Sequence, residues 1–375
     1  MTAPPPSGRA VARIDAGAIE RNCRSLADRL HGDAKLCAVV KAGGYGHGAE
    51  IAAEAALRGG AEMLAVAAAD EAETLRAAFA DAGILVMGAL TGDELRTALG
   101  AGAEVAVWRP RFAELCSRIA AEKGRPARVH VKHDSGMGRL GERDPDAVVK
   151  LARVCARDPN LDLVGIWTHL ATADEDDPAY MREQLARFET VASRVRELEP
   201  GVGVHAANSA ATIREPASHH DMVRCGIAIY GLDPFQRDPG ASGLEPALTL
   251  GSYVADVKRF EAGDSAGYGR TWTAPEARWV GVLPIGYGDG VRRALSNNAD
   301  VLVRGRRYPL VGTVSMDNIT IDLGPETDVE SGDEAILVGA QGDERILAEE
   351  MAERLGTINY EVTTAIGPRV PRVPA

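Results

Sequence analysis

Residues 36–48 read LCAVVKAGGYGHG, an apolar run that stops at a lysine and continues as a glycine-rich loop. An apolar run such as Leu36 to Val40 is typical of a strand that is buried on both faces in a parallel sheet. Lys41 at the end of that strand is costly to bury unless its charge is removed, and imine formation with an aldehyde cofactor would remove it. The alternative is a solvated lysine at a strand end. The segment therefore predicts an α/β fold and makes Lys41 the first candidate site residue.

Seven more apolar runs follow in the first two thirds of the chain, and alanine-rich amphipathic stretches separate them. The predicted strands are 36–40, 63–67, 84–87, 105–108, 129–131, 163–167, 202–205 and 222–225. Their spacing of about 24 residues is what one strand, one helix and two loops require. The pattern predicts a (β/α)8 TIM barrel over residues 11–240. An open doubly wound sheet is the alternative, because periodicity cannot detect closure.

The pattern changes near residues 239–243, which read PGASG. Short strand-like runs such as 301–303 and 319–321 then alternate with turn-forming segments. One helix, at 348–355, is predicted to interrupt them. Residues 241–375 should therefore form a mainly β domain.

The composition argues against several classes of function. The chain has 42 Lys and Arg residues against 54 Asp and Glu residues, and a net charge of −12 disfavours nonspecific binding of nucleic acid. The five cysteines include no C-x-x-C pair and the eight histidines no H-x-x-x-H spacing, so neither a disulfide framework nor a metal site is predicted. No apolar run reaches the length of a membrane span, and residues 1–10 look like an unstructured leader without a signal core. We expect a cytoplasmic protein without nucleic-acid or membrane partners.

A TIM barrel brings the carboxyl ends of its strands to one face, so the polar residues there should line one pocket. These residues are Lys41, Asp134, His169, Asn208 and Arg224. The loops after the last two strands commonly bind phosphate, and here they contain small residues at 208–211 and 226–228. A lysine that faces a phosphate site is what pyridoxal phosphate requires. A sugar-phosphate enzyme is the alternative, although it would leave the β domain without a role.

Several motifs follow one another in a recognisable order. They are AVVK (38–41), YGHG (45–48), KHDSGMGRLG (132–141), WTHLA (167–171), HAANS (205–209), RCGIAIYG (224–231), GYGR (267–270), IGYGDG (285–290), VSMD (314–317), YE (360–361) and RVP (369–371). From about Arg13 to Pro371 the chain thus resembles the alanine racemases, pyridoxal-phosphate enzymes with a TIM barrel and a β domain. The resemblance implies an isomerase that interconverts L- and D-alanine and supplies D-alanine for peptidoglycan.

Three other functions stay open at this point. Another small amino acid such as serine could be the substrate, or the chain could be a related barrel-type decarboxylase. A decarboxylase would want a cysteine acid and a glycine-rich phosphate loop, whereas Ser315 stands where many relatives have cysteine. A pyridoxal-phosphate carrier would be a lone barrel without the β segment.

The resemblance also implies roles for individual residues. Lys41 would be the Schiff-base residue and one catalytic base, and Tyr268 the second base. Further cofactor contacts would be Tyr45, His169, Ser209, Arg224, Gly226, Ile227 and Tyr360. Because a free tyrosine titrates near ~10, Tyr268 needs a cationic neighbour, and Arg139 is the implied one.

The substrate side and the assembly are implied in the same way. Arg139, Met316 and Tyr287 would lie near the substrate. Lys132 would carry a carbamate, or have an equivalent anion beside it, that orients Arg139. Tyr268 would reach the barrel of a second subunit, which gives a homodimer with shared active sites. One departure from the family lies beside Lys41, where residues 43–44 are two glycines in place of an asparagine-alanine pair.

Overall fold

The protein was analysed as a computed structural model that describes residues 8–375, so residues 1–7 of the predicted leader lie outside the description. The elements of the first part are β1 (Val11–Ile14), α1 (Ala16–Ala27), β2 (Lys35–Val39), α2 (Lys41–Tyr45), α3 (Ala49–Arg58), β3 (Met63–Val66), α4 (Ala69–Ala78), β4 (Gly83–Val86), α5 (Gly92–Gly100), β5 (Glu104–Val107), α6 (Pro110–Lys123), β6 (Ala127–Lys132), α7 (Pro145–Arg157), β7 (Leu161–Trp167), α8 (Ala179–Leu198), β8 (Gly203–His205), α9 (Ser209–Arg214) and β9 (Met222–Cys225). Those of the second part are β10 (Leu248–Tyr253), β11 (Asp256–Phe260), β12 (Ser265–Ala266), β13 (Trp272–Thr273), β14 (Arg278–Leu283), β15 (Asp300–Val303), β16 (Arg306–Val311), β17 (Ile319–Gly324), β18 (Glu334–Gln341), β19 (Glu344–Ile346), α10 (Ala348–Leu355), α11 (Asn359–Thr364) and β20 (Arg372–Pro374). Among the helices of the described residues, none is long and apolar enough to cross a membrane.

Strands β2 to β9 form the barrel. They pair in parallel in the order β8-β7-β6-β5-β4-β3-β2-β9. Between β8 and β9, two single backbone bonds replace a ladder: Asp221 N–H donates to Val204 O at 3.0 Å, and Arg224 N–H donates to Ala207 O at 3.0 Å. The predicted eight-stranded barrel is confirmed, and the open sheet is not what the chain forms.

Local signals explain where α1 lies. The Asp15 carboxylate accepts a hydrogen bond from the Ala18 N–H at 2.9 Å, which satisfies one of the free donors at the start of the helix. Ile19, Cys23 and Leu26 then form one buried stripe against the barrel. The same stripe is visible in the sequence at helical spacing.

The second part is built on a ten-stranded sheet with the main order β11-β14-β17-β16-β15-β18-β10-β1-β20. The helix predicted at 348–355 is confirmed as α10, whereas α11 was missed. Strand β1 belongs to this sheet, because it pairs antiparallel with β10 and parallel with β20. We propose 11–240 and 241–375 as the two domains, with β1 contributed to the second sheet.

Candidate active site

A cavity of about 470 Å³ lies at the carboxyl end of the barrel strands. Eleven of the predicted site residues line it: Lys41, Tyr45, Lys132, Arg139, His169, Asn208, Ser209, Arg224, Gly226, Ile227 and Tyr360. They come from loops far apart in sequence. The barrel therefore brings most of the predicted site together.

Lys41 projects into the cavity from the end of β2. The four residues after it all have positive φ angles, between 51° and 65°, so α2 is a left-handed turn. Glycines 43 and 44 suit this conformation because they lack the Cβ that makes it costly. Glu71 stabilises the turn by accepting hydrogen bonds from Ala42 N–H at 2.6 Å and Ala67 N–H at 2.9 Å. Burial and the nearby Arg139 lower the pKa of Lys41, which favours the neutral amine.

A small cradle lies at one end of the cavity. The Ser209 hydroxyl accepts hydrogen bonds from Gly226 N–H at 3.0 Å and Ala228 N–H at 3.3 Å. A Cβ atom built on Gly226 would lie 2.3 Å from the Tyr45 hydroxyl oxygen, so only glycine leaves this space open. A hydroxyl, a phenol and the backbone of Gly226 and Ile227 line this end of the cavity, and groups of this kind fit a phosphate.

Arg224 is buried and forms part of the cavity floor. Its Nη1 lies 2.9 Å from His205 Nδ1, and its Nη2 donates to Thr168 O at 2.8 Å and Ala206 O at 3.0 Å. Burial lowers the pKa of Arg224 to about 10, so the guanidinium stays charged at neutral pH. Burial and the Arg224 charge lower the pKa of His169 well below its ordinary value, which leaves that imidazole neutral.

Lys132 is buried over an aromatic face. Its Nζ lies 4.0 Å from the centre of the Trp167 ring, and the Arg224 guanidinium carbon lies 4.8 Å from the same ring. Burial, with smaller contributions from Arg224 and Arg139, lowers the pKa of Lys132 to about 7. The lowered pKa favours the neutral amine.

Asp134 does not line the cavity, although its position after β6 predicted that it would. Its carboxylate instead accepts hydrogen bonds from the Gly136 and Gly138 N–H groups at 3.2 and 2.9 Å. These bonds hold the glycine-rich loop that carries Arg139. A polar residue that follows a barrel strand can thus stabilise a loop without lining the cavity.

Tyr360 reaches the cavity from the second domain of the same chain. Its neighbour Asn359 is buried, and the Asn359 amide donates to Asp233 O at 2.9 Å and to Glu349 Oε1 at 2.8 Å. The Gln236 side-chain N–H donates to Asn359 Oδ1 at 3.0 Å, and Gln236 Oε1 accepts from the Asn359 backbone N–H at 2.8 Å. This network fixes α11 against the barrel and so positions the Tyr360 ring.

Three predicted residues are not brought to the cavity of their own chain. Tyr268, Met316 and Tyr287 are 75%, 51% and 44% exposed on the second domain. None of them is among the residues that line the cavity. Within residues 8–375 the second predicted base is therefore separated from Lys41.

Sequence reasoning missed two residues that shape the site. Trp167 begins the WTHLA motif but received no role from the sequence, although its ring stacks beneath Lys132 and Arg224. Glu71 carried no visible signal, because it is the first-turn acid of a helix whose N-cap, Ala68, has no capping oxygen.

The cavity at the mouth of this TIM barrel contains a lysine, a charged arginine and an anion cradle. These features define a barrel enzyme that binds an amine and an anionic group in one cavity. The family model for "Alanine racemase, N-terminal domain" matches residues 14–234, and that for "Alanine racemase, C-terminal domain" matches residues 247–374. The chain belongs to the alanine racemase family.

Individual relatives agree over almost the whole chain. The alanine racemase of Symbiobacterium thermophilum is 43% identical, with 96% of each chain covered. That of Mycobacterium ulcerans is 41% identical, over 98% of this chain and 95% of its own. The crystal structure of alanine racemase from D-cycloserine-producing Streptomyces lavendulae superposes with a TM-score of 0.92 at 35% identity, over 98% of this chain and 97% of the other. The predicted family, fold and isomerase class are confirmed, and a decarboxylase is not favoured.

Proposed function

We propose that the protein interconverts L-alanine and D-alanine with pyridoxal 5'-phosphate as its cofactor. The observation that carries the proposal is that Lys41, Arg224 and the cradle between Tyr45 and Gly226 share one cavity in a chain of this family. The names of the relatives support alanine as the substrate.

The cavity residues divide into those for the phosphate and those for the ring. When bound, pyridoxal phosphate supplies an electron-withdrawing ring that stabilises negative charge at Cα of an attached amino acid. We assign Tyr45, Ser209, Gly226 and Ile227 to the phosphate, Lys41 to the covalent attachment, and His169, Arg224 and Tyr360 to the remaining contacts. Because a guanidinium only donates hydrogen bonds, Arg224 favours an unprotonated ring nitrogen. The weaker electron withdrawal that results suits an enzyme that moves a single proton.

Racemisation requires one base on each face of Cα. The Lys41 amine serves one face, and its lowered pKa supports this role because a neutral amine can accept a proton. The Tyr268 phenol serves the other face, with the Arg139 guanidinium beside it to favour the phenolate. Arg139 also lines the cavity next to Lys41, where it is suitably located to contact both the substrate and Tyr268.

The Lys132 amine is proposed to react with carbon dioxide. Its nitrogen forms a bond to the carbon, one C=O π bond breaks and leaves its electron pair on oxygen, and the nitrogen releases one proton to solvent, which gives a carbamate. A pKa of about 7 supports this step, since only the neutral amine is nucleophilic. The negative product would orient Arg139, whereas a bare ammonium would repel it. Addition of 13C-bicarbonate should give a carbamate resonance in 13C NMR that is absent from Lys132→Met, and its absence from the wild type would contradict the assignment.

Each active site is proposed to be shared by two subunits of a homodimer. Tyr268, Tyr287 and Met316 lie exposed on the second domain and away from the cavity of their own chain, which is what contact with a second copy requires. In this arrangement Met316 lies near the substrate carboxylate, and Tyr287 narrows the side-chain end of the pocket together with Tyr360. A pocket sized for a methyl group excludes long side chains, although one added hydroxyl is harder to reject.

The proposed cellular role is the supply of D-alanine for peptidoglycan in the cytoplasm. Family membership supports this role.

Incubation of the purified, cofactor-loaded protein with single L-amino acids in deuterated water tests the function. Alanine should exchange its Cα proton and become racemic, which NMR and chiral chromatography measure. Serine is the most informative comparison, because it differs from alanine by one hydroxyl. Exchange of lysine or arginine as fast as alanine would contradict the pocket assignment, and no exchange of any amino acid would contradict the function.

A further inference from the structure

A row of four buried polar side chains crosses the inside of the barrel and ends at Arg224. Glu104 Oε2 lies 2.6 Å from His130 Nε2, His130 Nδ1 lies 3.0 Å from His205 Nε2, and His205 Nδ1 lies 2.9 Å from Arg224 Nη1. All four side chains are buried. The interior of a TIM barrel is ordinarily filled by branched apolar residues, so a continuous polar row there requires an explanation.

The chemistry of arginine gives this row a single direction. A guanidinium has donors only, so His205 Nδ1 must accept, and its one proton sits on Nε2. Burial and the Arg224 charge lower the pKa of His205 well below its ordinary value, which agrees with a neutral imidazole. His205 Nε2–H therefore donates to His130 Nδ1, and His130 Nε2–H donates to the Glu104 carboxylate.

The surrounding backbone leaves space for the two rings. A Cβ atom on Gly165 of β7 would lie 2.0 Å from His130 Nδ1, so the glycine admits the imidazole between the strands. Trp167 lies parallel to the His205 ring, at 4° and 5.6 Å between centres. Close packing therefore fixes the positions of the His130 and His205 rings.

The far end of the row lies at the amino-terminal end of the barrel. Glu104 also pairs with the Nη1 of Arg128, and Arg128 Nε lies 3.7 Å from Asp162. Glu104, Arg128, His130 and His205 line a cavity of about 440 Å³ on this side. The Glu104 carboxylate therefore sits between a half-exposed cation and the buried imidazoles.

We propose that Glu104 and His130 are positioning residues for Arg224, acting through the tautomer of His205. The negative charge of Glu104 favours the one proton arrangement in which every imidazole nitrogen is satisfied and His205 accepts from Arg224. Without that charge, His205 can carry its proton on Nδ1, where it opposes a guanidinium donor and displaces Arg224 from the cofactor ring. The proposal goes beyond the assigned site residues and rests on the proposed position of the ring beside Arg224.

Glu104→Gln is the test and Asp162→Asn its matched control. Both remove one negative charge next to Arg128, but only Glu104 contacts His130. In the cofactor-loaded enzyme with 15N-labelled histidine, we expect Glu104→Gln to change the Nδ1 and Nε2 shifts of His130 and His205. It should also shift the wavelength of the visible absorption band of the bound cofactor. We expect kcat to fall about tenfold with little change in KM, the lower end of what loss of a supporting partner costs. Glu104→Asp should restore part of each change, and Asp162→Asn should match the wild type.

Three outcomes would overturn the proposal: unchanged histidine shifts and cofactor spectrum in Glu104→Gln, equal effects in Asp162→Asn, or an effect on KM alone. If Glu104→Gln does not fold, His130→Asn breaks the same row at its next member and should give the same spectral change. A wild type that binds no cofactor or racemises no amino acid contradicts the proposed function instead. The two failures are therefore distinguishable.

Discussion

The Tyr45 hydroxyl and Gly226 approach each other so closely that a Cβ atom on Gly226 would lie 2.3 Å from the phenol oxygen. We therefore predict that Gly226→Ala forces the Tyr45 ring out of the phosphate cradle. Overpacking of this kind costs about 1–3 kcal/mol, so cofactor affinity should fall about tenfold or more. Equilibrium titration of the cofactor-free protein with pyridoxal phosphate measures the change.

Gly92→Ala is the control for this substitution. A Cβ atom on Gly92 would meet its nearest neighbour at 3.8 Å, an ordinary contact, and the site lies at the start of α5. Cofactor affinity in this variant should equal that of the wild type. An unchanged affinity in Gly226→Ala would show that the cradle does not hold the phosphate.

Lys41→Ala should abolish covalent attachment of the cofactor. Borohydride reduction of the wild type should fix the cofactor on Lys41, as peptide mass spectrometry can show, and the variant should lose the visible absorption band. Racemisation should fall by about 100-fold or more, because a proton-transferring group is removed. Lys35→Ala serves as the control, because Lys35 is an exposed lysine at the start of β2, the strand before Lys41, and pairs with Glu62. A reducible adduct on Lys132 would contradict the assignment.

Lys132 should make the free energy of unfolding depend on pH. Its pKa is about 7 in the folded protein and 10.5 in the unfolded chain, so between these values the unfolded chain binds more protons. The free energy of unfolding should therefore rise with pH in this window, and this contribution is lost as the pH falls toward 7.

The rise from pH 7 to pH 9 should be on the order of 2 kcal/mol larger in the wild type than in Lys132→Met. Urea unfolding at both pH values, at one protein concentration and in bicarbonate-free buffer, measures the difference. Equal slopes would show that Lys132 is not desolvated as the fold suggests.

The sequence predicted most of the barrel because its signals are local. Each strand is a short apolar run, and polar residues at or just after the ends of several strands, such as Lys41, His169 and Arg224, line the cavity. Closure could not be predicted in this way, since it depends on two backbone bonds between β8 and β9. Strand β1 was likewise unpredictable, because its partners Leu248–Gly251 and Arg372–Pro374 lie more than two hundred residues away.

The polar row inside the barrel shows the same limit for the site. His130 received no role from the sequence, and Glu104 stands just before the predicted strand 105–108 with no sign that it would be buried. Only the fold brings Glu104 to His130 and both into line with His205. Motifs therefore identified residues near the cofactor, whereas the residues that support them depend on pairings between strands.

The last prediction concerns the shared active site. Lys41 lines the cavity of the barrel, and Tyr268 is exposed on the second domain of the same chain. Lys41→Ala and Tyr268→Phe should each be nearly inactive as homodimers. In a mixed dimer, one site inherits both defects, but the other combines an intact Lys41 with an intact Tyr268. Activity should therefore reappear when the two variants are unfolded together and reassembled.

Random reassembly sets the size of the effect. Equal amounts of the two variants give about half mixed dimers, and each mixed dimer has one intact site of two, so close to a quarter of the wild-type activity should return. Different affinity tags on the two variants allow the mixed dimers to be purified and assayed alone, where half of the wild-type activity is expected. As a control for incomplete inactivation, two differently tagged preparations of Lys41→Ala are mixed and carried through the same procedure. If purified mixed dimers stay inactive, both bases belong to one chain, and the exposed Tyr268 must reach its own cavity by a movement of the second domain.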